Sequence, residues 1–307
     1  MLKVEHLVKR FGSYLAISDL NFTLKEGEIV GLLGPNGAGK TTTMRMITSF
    51  FYPDLGQVKI DNLDTVTNTL ATQAQIGYLP ENNPLYPDML VIDFLLMTLN
   101  LSDNQELHQL NPLQKLTFLK KQAHTVNLDY KLMNKIGELS KGYRQRVGLC
   151  AALVANPKIL ILDEPTEGLD PNEREEIRAL IKKLAQNRII LISTHVLQEV
   201  KALCTKAIVI NNGQLIVAGD PAHLTGTFTV EIELEGDKIE AQLKKLIKNK
   251  NQESLTLKKI KANRFHATLK TKREIRPELS KLIIANNWQV WQLNTADELD
   301  QVFKELK

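Results

Sequence analysis

The sequence predicts an α/β fold built on a buried parallel sheet, and three observations carry that prediction. First, Gly34-Pro35-Asn36-Gly37-Ala38-Gly39-Lys40-Thr41-Thr42 fits G-x-x-x-x-G-K-[ST], between an apolar run, Ile29-Val30-Gly31-Leu32-Leu33, and a helix opening at Thr42-Thr43-Met44. Second, Lys158-Ile159-Leu160-Ile161-Leu162 and Ile189-Ile190-Leu191-Ile192 are continuous apolar runs, the mark of strands covered on both faces. Third, an amphipathic helix, Glu173 to Gln186, separates them. Strands alternating with helices place ligands at the carboxyl ends of the strands, so the residues after these runs should be chemical.

The elements follow in order. Leu2, Val4 and Leu7 alternate as a short strand, and Leu20, Phe22 and Leu24 as another. Lys25-Glu26-Gly27-Glu28 turns the chain into the strand that feeds the Gly-rich loop. After a turn at Tyr52 to Gly56 come short strands at Val58-Lys59-Ile60 and Ile76 to Leu79. Residues from about 84 to 138 are helical in pattern, with breaks near Pro87 and Pro112, and read as a helical subdomain of about 84–155 inserted in the core. Ile208-Val209-Ile210 and Gln214 to Val217 flank Asn211-Asn212-Gly213, a hairpin signal.

Near Gly219 to Thr225 the composition shifts, dividing the chain into 1–222 and a small α+β domain, 223–307. There a strand from Thr227 to Leu234 and a helix from Lys238 to Lys248 precede strands at Leu255 to Ile260 and Phe265 to Leu269. A helix from Glu274 to Ala285, a strand from Trp288 to Leu293 and a closing helix from Ala296 to Leu306 complete it. The order βαββαβ predicts a ferredoxin-like unit.

A chain of 307 residues holds one large domain or two ordinary ones and buries a sizeable core without staples. A net charge of +4 is too mild to imply nucleic acid, so none is expected as a partner. Cys150 and Cys204 lie far apart in no metal-like spacing and read as thiols of a reduced compartment. The opening Met1 to His6 is not a secretory signal, and no apolar run approaches the ~18 residues that span a bilayer. The expectation is a soluble chain whose membrane role comes through a partner.

The Gly-rich loop reads as the cradle of a nucleoside triphosphate. Glycines let the backbone wrap an anion, several N–H groups point inward, and the following helix adds its positive end. Lys40 supplies a full charge to the outer phosphates, and the Thr41 hydroxyl can ligate Mg²⁺. Asp163, ending a buried strand, can hold Mg²⁺ against Thr41, and Glu164 can polarise a water aimed at the γ-phosphate. Adjacent carboxylates there are costly to place for packing alone.

Leu139-Ser140-Lys141-Gly142-Tyr143-Arg144-Gln145-Arg146 narrows the reading, because it resembles the signature of ATP-binding-cassette (ABC) ATPases, usually Leu-Ser-Gly-Gly-Gln. Asp163-Glu164 looks like that family's metal and catalytic carboxylates, Gly168-Leu169-Asp170 like its D-loop, and His195 like its switch histidine. Phe11 matches its adenine-stacking aromatic, although a core aromatic is the other reading. The resemblance covers about residues 1–220. It implies a P-loop NTPase fold with an antiparallel β subdomain and a helical subdomain, binding ATP and Mg²⁺. It also implies a head-to-tail dimer, a homodimer or a heterodimer with a paralogue, with ATP between the phosphate loop of one subunit and Ser140, Lys141, Gly142 and Tyr143 of the other.

Ser140 also reads as an ordinary N-cap, and both roles can hold together. Asp170 acts at the subunit contact or caps the helix before Pro171. Lys141 and Tyr143 depart from the common signature; the lysine adds charge toward a facing γ-phosphate or points to solvent. Glu81 stands where the family has a glutamine that senses Mg²⁺ and the membrane partner; it keeps the metal contact or is a surface glutamate before Asn82-Asn83-Pro84. His195 would bond the γ-phosphate and hold water and Glu164 in line.

Tyr78-Leu79-Pro80-Glu81, the signature run and Ala296-Asp297-Glu298-Leu299-Asp300 resemble the ABC-2 exporter branch, gliding-motility-associated subunits most closely. This implies an ATPase subunit driving export through integral membrane permease subunits, held peripherally on the cytoplasmic face of the inner membrane. The alternative is a soluble, non-transport ABC ATPase with a regulatory carboxy-terminal module. The paired cassettes or long coiled coils of ribosome- and DNA-acting members are not seen in this sequence. The basic stretch Lys244 to Lys250 meets anionic lipid or is a solvated helix face.

Overall fold

The computed structural model describes residues 1–102, 104–221, 228–247, 254–271 and 275–297. The chain separates between Pro221 and Ala222 into two compact units. In the first, Leu2–Phe11 (β1) and Tyr14–Leu24 (β2) form a hairpin, and Ile29–Leu33 (β3) leads through the Gly-rich loop into Lys40–Ile47 (α1). Leu55–Ile60 (β4), Leu63–Asp64 (β5), Thr69–Gln73 (α2) and Ile76–Leu79 (β6) follow. Val91–Leu101 (α3), Gln105–His108 (α4), Pro112–Thr125 (α5) and Lys141–Leu153 (α6) make the helical part. The chain then alternates Ile159–Asp163 (β7), Pro171–Leu184 (α7), Ile189–Thr194 (β8) and Leu197–Leu203 (α8), and ends in the hairpin Lys206–Asn211 (β9) and Gln214–Gly219 (β10).

Two sheets result. One is antiparallel, in the order β2-β1-β4-β5. The other has the order β10-β9-β3-β8-β7-β6, parallel from β9 to β6 with β10 antiparallel at the edge. The continuous apolar runs have the expected cause, since each strand faces a core on both sides. Ile159, Ile161, Ile189 and Leu191 pack toward the antiparallel sheet and α1, while Leu160, Leu162, Ile190 and Ile192 pack against α3, α6 and α7. Register pairs Leu33 with Thr194 and Asp163 with Ser193, which gathers three strand ends at one edge of the sheet.

Sequence and structure differ locally. β1 is a ten-residue strand rather than a short one. Its alternation slips from Val4 to Leu7 because a bulge lies there, with His6 at φ 50°. The helical pattern breaks near Pro112 as expected, between α4 and α5, and Pro112 opens the second of them: Asn111 accepts from the Gln114 amide and the Gln114 side chain returns to the Asn111 amide, a reciprocal cap that suits proline at the first helical position.

The second unit holds Phe228–Glu235 (β11), Ile239–Ile247 (α9), Ser254–Lys261 (β12), Arg264–Thr271 (β13), Arg276–Ala285 (α10) and Gln289–Asp297 (β14). Its antiparallel sheet has the order β12-β13-β11-β14, the ferredoxin-like arrangement. Val230, Ile232 and Leu234 meet Leu243 and Leu279 in its core, closed by Trp288, whose indole N–H donates to the Asp237 carbonyl at 2.9 Å. The expected closing helix does not begin at Ala296: Ala296 and Asp297 extend β14 beside Thr229 and Phe228, and the rest of that segment lies outside the described residues. Lys248 to Lys250 of the basic stretch also lie outside them.

Candidate functional site

The phosphate loop leaves β3 at the centre of the parallel sheet. Gly39 caps α1 at φ 105°, a left-handed conformation that favours glycine, and a Cβ there would press on Ile17 Cδ1 at 2.5 Å. Lys40 is only 7% exposed, and its Nζ donates to the carbonyls of Gly34 at 2.8 Å and Pro35 at 3.2 Å. Burial draws its pKa below the usual lysine value, while the charges of Glu164, Asp163, Glu81 and Glu167 oppose that shift.

The ends of β7 and β8 build the acidic side. Asp163 is buried; one carboxylate oxygen accepts from the Ser193 hydroxyl, and the other, Oδ2, is buried with no hydrogen-bond partner among the described residues. Glu164 turns sharply, with φ 48°, a left-handed position costly for a side chain of this size. Its amide donates to Ser193 Oγ at 2.9 Å. Its Oε1 lies 3.0 Å from His195 Nδ1 and 4.0 Å from Lys40 Nζ. Burial lifts the Glu164 carboxyl above the ordinary range, opposed by His195 and Lys40. An ionised Glu164 needs the His195 proton on Nδ1, so Nε2 donates to a phosphate only when the ring is an imidazolium.

A cavity of about 430 Å³ covers these groups, from Asn36 to Thr42 of the loop across to Glu81, Asp163, Glu164 and His195. Phe11 and Tyr14, cross-strand partners in the β1–β2 hairpin, line its far end and are 43% and 58% exposed. Phe11 meets Phe51 edge to face at 5.2 Å, with Lys9 Nζ 5.6 Å from its ring centre.

The signature residues lie outside this cavity. Ser140 caps α6, accepting from the Tyr143 amide at 3.3 Å, and its hydroxyl donates to Glu173 Oε1 at 3.3 Å. The Glu173 carboxylate lies flush on Gly142, where a Cβ would collide with it, so the positive end of α6 faces a carboxylate of this same chain. Lys141 Nζ lies against Gly168. The Tyr143 ring turns into the helical part, its hydroxyl 3.1 Å from that of Tyr130. Asp170 caps α7, accepting from the Glu173 amide at 2.8 Å, with Pro171 at the first helical position.

Several residues beyond those expected line the site or brace it. Ser193 ties Asp163 to Glu164, and its signal was its place at the end of an apolar strand. Tyr14 could have been found as an aromatic just past the hairpin turn. Gln145 Nε2 donates to the Pro165 carbonyl at 2.9 Å, joining α6 to the loop after β7. A second cavity, of about 370 Å³, opens between β6, α3 and α6 and is lined by Tyr78, Pro80, Asn83, Phe94 and Gly148 among others. Asn83 Nδ2 donates to the Arg144 carbonyl at 2.8 Å, linking that cavity to the signature helix.

A profile of the family described as "ABC transporter" matches residues 17–167. The chain is 37% identical over 239 residues to Nod factor export ATP-binding protein I of Burkholderia lata, covering 76% of this chain and 73% of that protein. It is 35% identical over 227 residues to the lipopolysaccharide export system ATP-binding protein LptB of Escherichia coli K12, covering 73% of this chain and 92% of that protein. Among solved structures, the dimeric bacterial ABC transporter cassette MJ0796 superposes with a TM-score of 0.65 at 25% identity, covering 72% of this chain and 99% of that one. A post-hydrolysis dimer of the same cassette holds ADP and Pi.

Proposed function

The chain belongs to the ATP-binding subunits of ABC transporters, and on that footing we propose that it encloses ATP between its own phosphate loop and Ser140 and Gly142 of a second cassette. It is an ATPase that binds ATP and hydrolyses it. One observation carries the shared-site reading: the anion-binding end of α6 lies outside the cavity that holds the phosphate loop, Glu164 and His195. A γ-phosphate held by Lys40 reaches that end only on a different subunit. The second cassette is another copy or a paralogue.

In this mechanism the loop amides and Lys40 hold the phosphates and spread their charge. Glu164 takes a proton from the water whose oxygen attacks the γ-phosphorus, and the bond to the bridging oxygen breaks, leaving ADP and phosphate. His195 holds Glu164 by the 3.0 Å contact at Nδ1. Asp163 fits a cation site, because its Oδ2 is buried without a partner among the described residues. A hard carboxylate oxygen suits Mg²⁺. Thr41, Asp163 and Glu81 would hold Mg²⁺, which neutralises phosphate charge when bound. Phe11 offers its exposed ring to the adenine.

Among the described residues no helix is long and apolar enough to cross a membrane. The partners proposed for transport are membrane permease subunits. The apolar cavity beside Pro80 suits a permease helix, because it adjoins both Glu81 and, through Asn83, the signature helix. Export is the proposed direction, since the relatives named above are export ATPases, and the cytoplasmic face of the inner membrane is the proposed location. Closure is a ligand-driven shift, because ATP touches both subunits only in the closed dimer. The test is Glu164→Gln. It should keep ATP binding, lose turnover and accumulate as a dimer in ATP; a variant that stays monomeric at saturating ATP refutes the shared site.

A further inference from the structure

Glu199 lies one turn beyond His195, on α8, and is 6% exposed. Its Oε1 accepts from the hydroxyl of Thr166, in the loop that carries Glu164 and Asp170. Its Oε2 accepts from the Thr194 hydroxyl at 2.8 Å, immediately before His195. The Thr194 oxygen in turn accepts from the Val196 amide at 3.0 Å, so His195 is fixed on both sides. Arg178 on α7 supplies the counter-charge, its Nη2 3.7 Å from Glu199 Oε1. Both threonines are buried. A charge this deep is costly unless every oxygen is satisfied, and here both are. An apolar contact would join the same loops but would let them slide; two directed hydrogen bonds to one rigid carboxylate do not.

We propose that Glu199 is a positioning residue for hydrolysis, clamping Thr166 to Thr194 so that His195 stays in line with Glu164. The clamp joins the two loops that follow β7 and β8, and it acts on the proton-accepting group without touching the nucleotide. Through Pro165, whose carbonyl accepts from Gln145 on α6, the clamped loop is also tied to the signature helix. The proposal rests on the roles given above to Glu164 and His195.

The experiment compares kcat and equilibrium ATP affinity in the purified full chain. Glu199→Ala should lower kcat about ten- to hundredfold, the cost of a misplaced catalytic group, and leave ATP affinity within about twofold, because Lys40 and its loop lie on another strand. Glu199→Gln should recover most of kcat, since its amide accepts from one threonine and donates to the other. Should the alanine variant not fold, Thr194→Val and Thr194→Ser decide: valine should lower kcat and serine should keep it. Wild-type kcat in Glu199→Ala, equal losses of kcat and affinity, glutamine as damaging as alanine, or equal behaviour of the Thr194 pair each overturns the clamp. Glu164→Gln and His195→Ala separate the levels. If both are inactive while Glu199→Ala turns over normally, only the clamp fails; if both turn over normally, the assigned roles fail and the clamp with them.

Discussion

Replacing Glu173 with glutamine should tighten the ATP-driven dimer. In the single chain the Glu173 carboxylate lies on Gly142 and accepts from Ser140, where the shared-site mechanism brings the partner's γ-phosphate. That phosphate must displace it. An anion at a helix N-terminus is worth about 0.3–1 kcal/mol at a partly exposed position. The hydrogen bond, at 3.3 Å, adds little to that. A homodimer has two such sites, so displacement costs about 0.6–2 kcal/mol in all, and at 1.4 kcal/mol per decade this is roughly three- to thirtyfold in the dimer constant. Glutamine keeps the shape, loses the charge and removes most of that cost. Sedimentation velocity in saturating ATP, comparing Glu164→Gln with Glu164→Gln/Glu173→Gln over a range of protein concentrations, measures the difference. Added salt should shrink it, because the groups are partly solvated. An unchanged or weaker dimer at low salt refutes the reasoning.

Phe11→Ala and Tyr14→Ala should each weaken ATP binding by about tenfold or less while leaving inorganic tripolyphosphate binding unchanged, because a base stacks on an aromatic ring and a bare phosphate chain does not; equal losses for both ligands would deny either ring that role. Burial raises the Glu164 carboxyl above the ordinary 4.5, and only its ionised form accepts a proton, so turnover should fall as pH drops through a value higher than an unperturbed glutamate gives. The stability term has the opposite sense: a raised folded-state pKa favours the fold at low pH, and that advantage is lost as pH rises through the folded value. A kcat profile with its acid limb at or below 4.5 contradicts the assignment. Burial pushes both thiols, Cys150 and Cys204, up to about 12, the charge of Glu199 adding to the second. A thiol reagent at mildly alkaline pH should therefore label neither until the protein unfolds.

The Gly-rich loop, the acidic end of β7, the histidine after β8 and the ferredoxin-like order of the second unit were legible in the sequence, since each is written in a contiguous stretch. A Gly-rich loop between an apolar strand and a helix admits few readings, and apolar runs without alternation announce a doubly covered sheet. Leu2, Val4 and Leu7 were read as one alternation, and the slip between Val4 and Leu7 came to light only with the bulge at His6. The break near Pro112 was legible from the proline, but that the residue opens α5 is shown by the reciprocal cap of Asn111 and Gln114.

By itself, then, the sequence determined the residues on offer: a Gly-rich loop with its lysine, two adjacent carboxylates, a histidine and a serine-capped helix. Tertiary structure alone decided who meets whom. Asp163 finds Ser193 and Glu199 finds Thr166, each across about thirty residues of chain, because parallel strands are joined by long crossovers and their ends become neighbours only when the register is set; Glu173 finds Ser140 where the starts of α7 and α6 meet. No local pattern carries that register, which comes from burying both faces of the sheet at once.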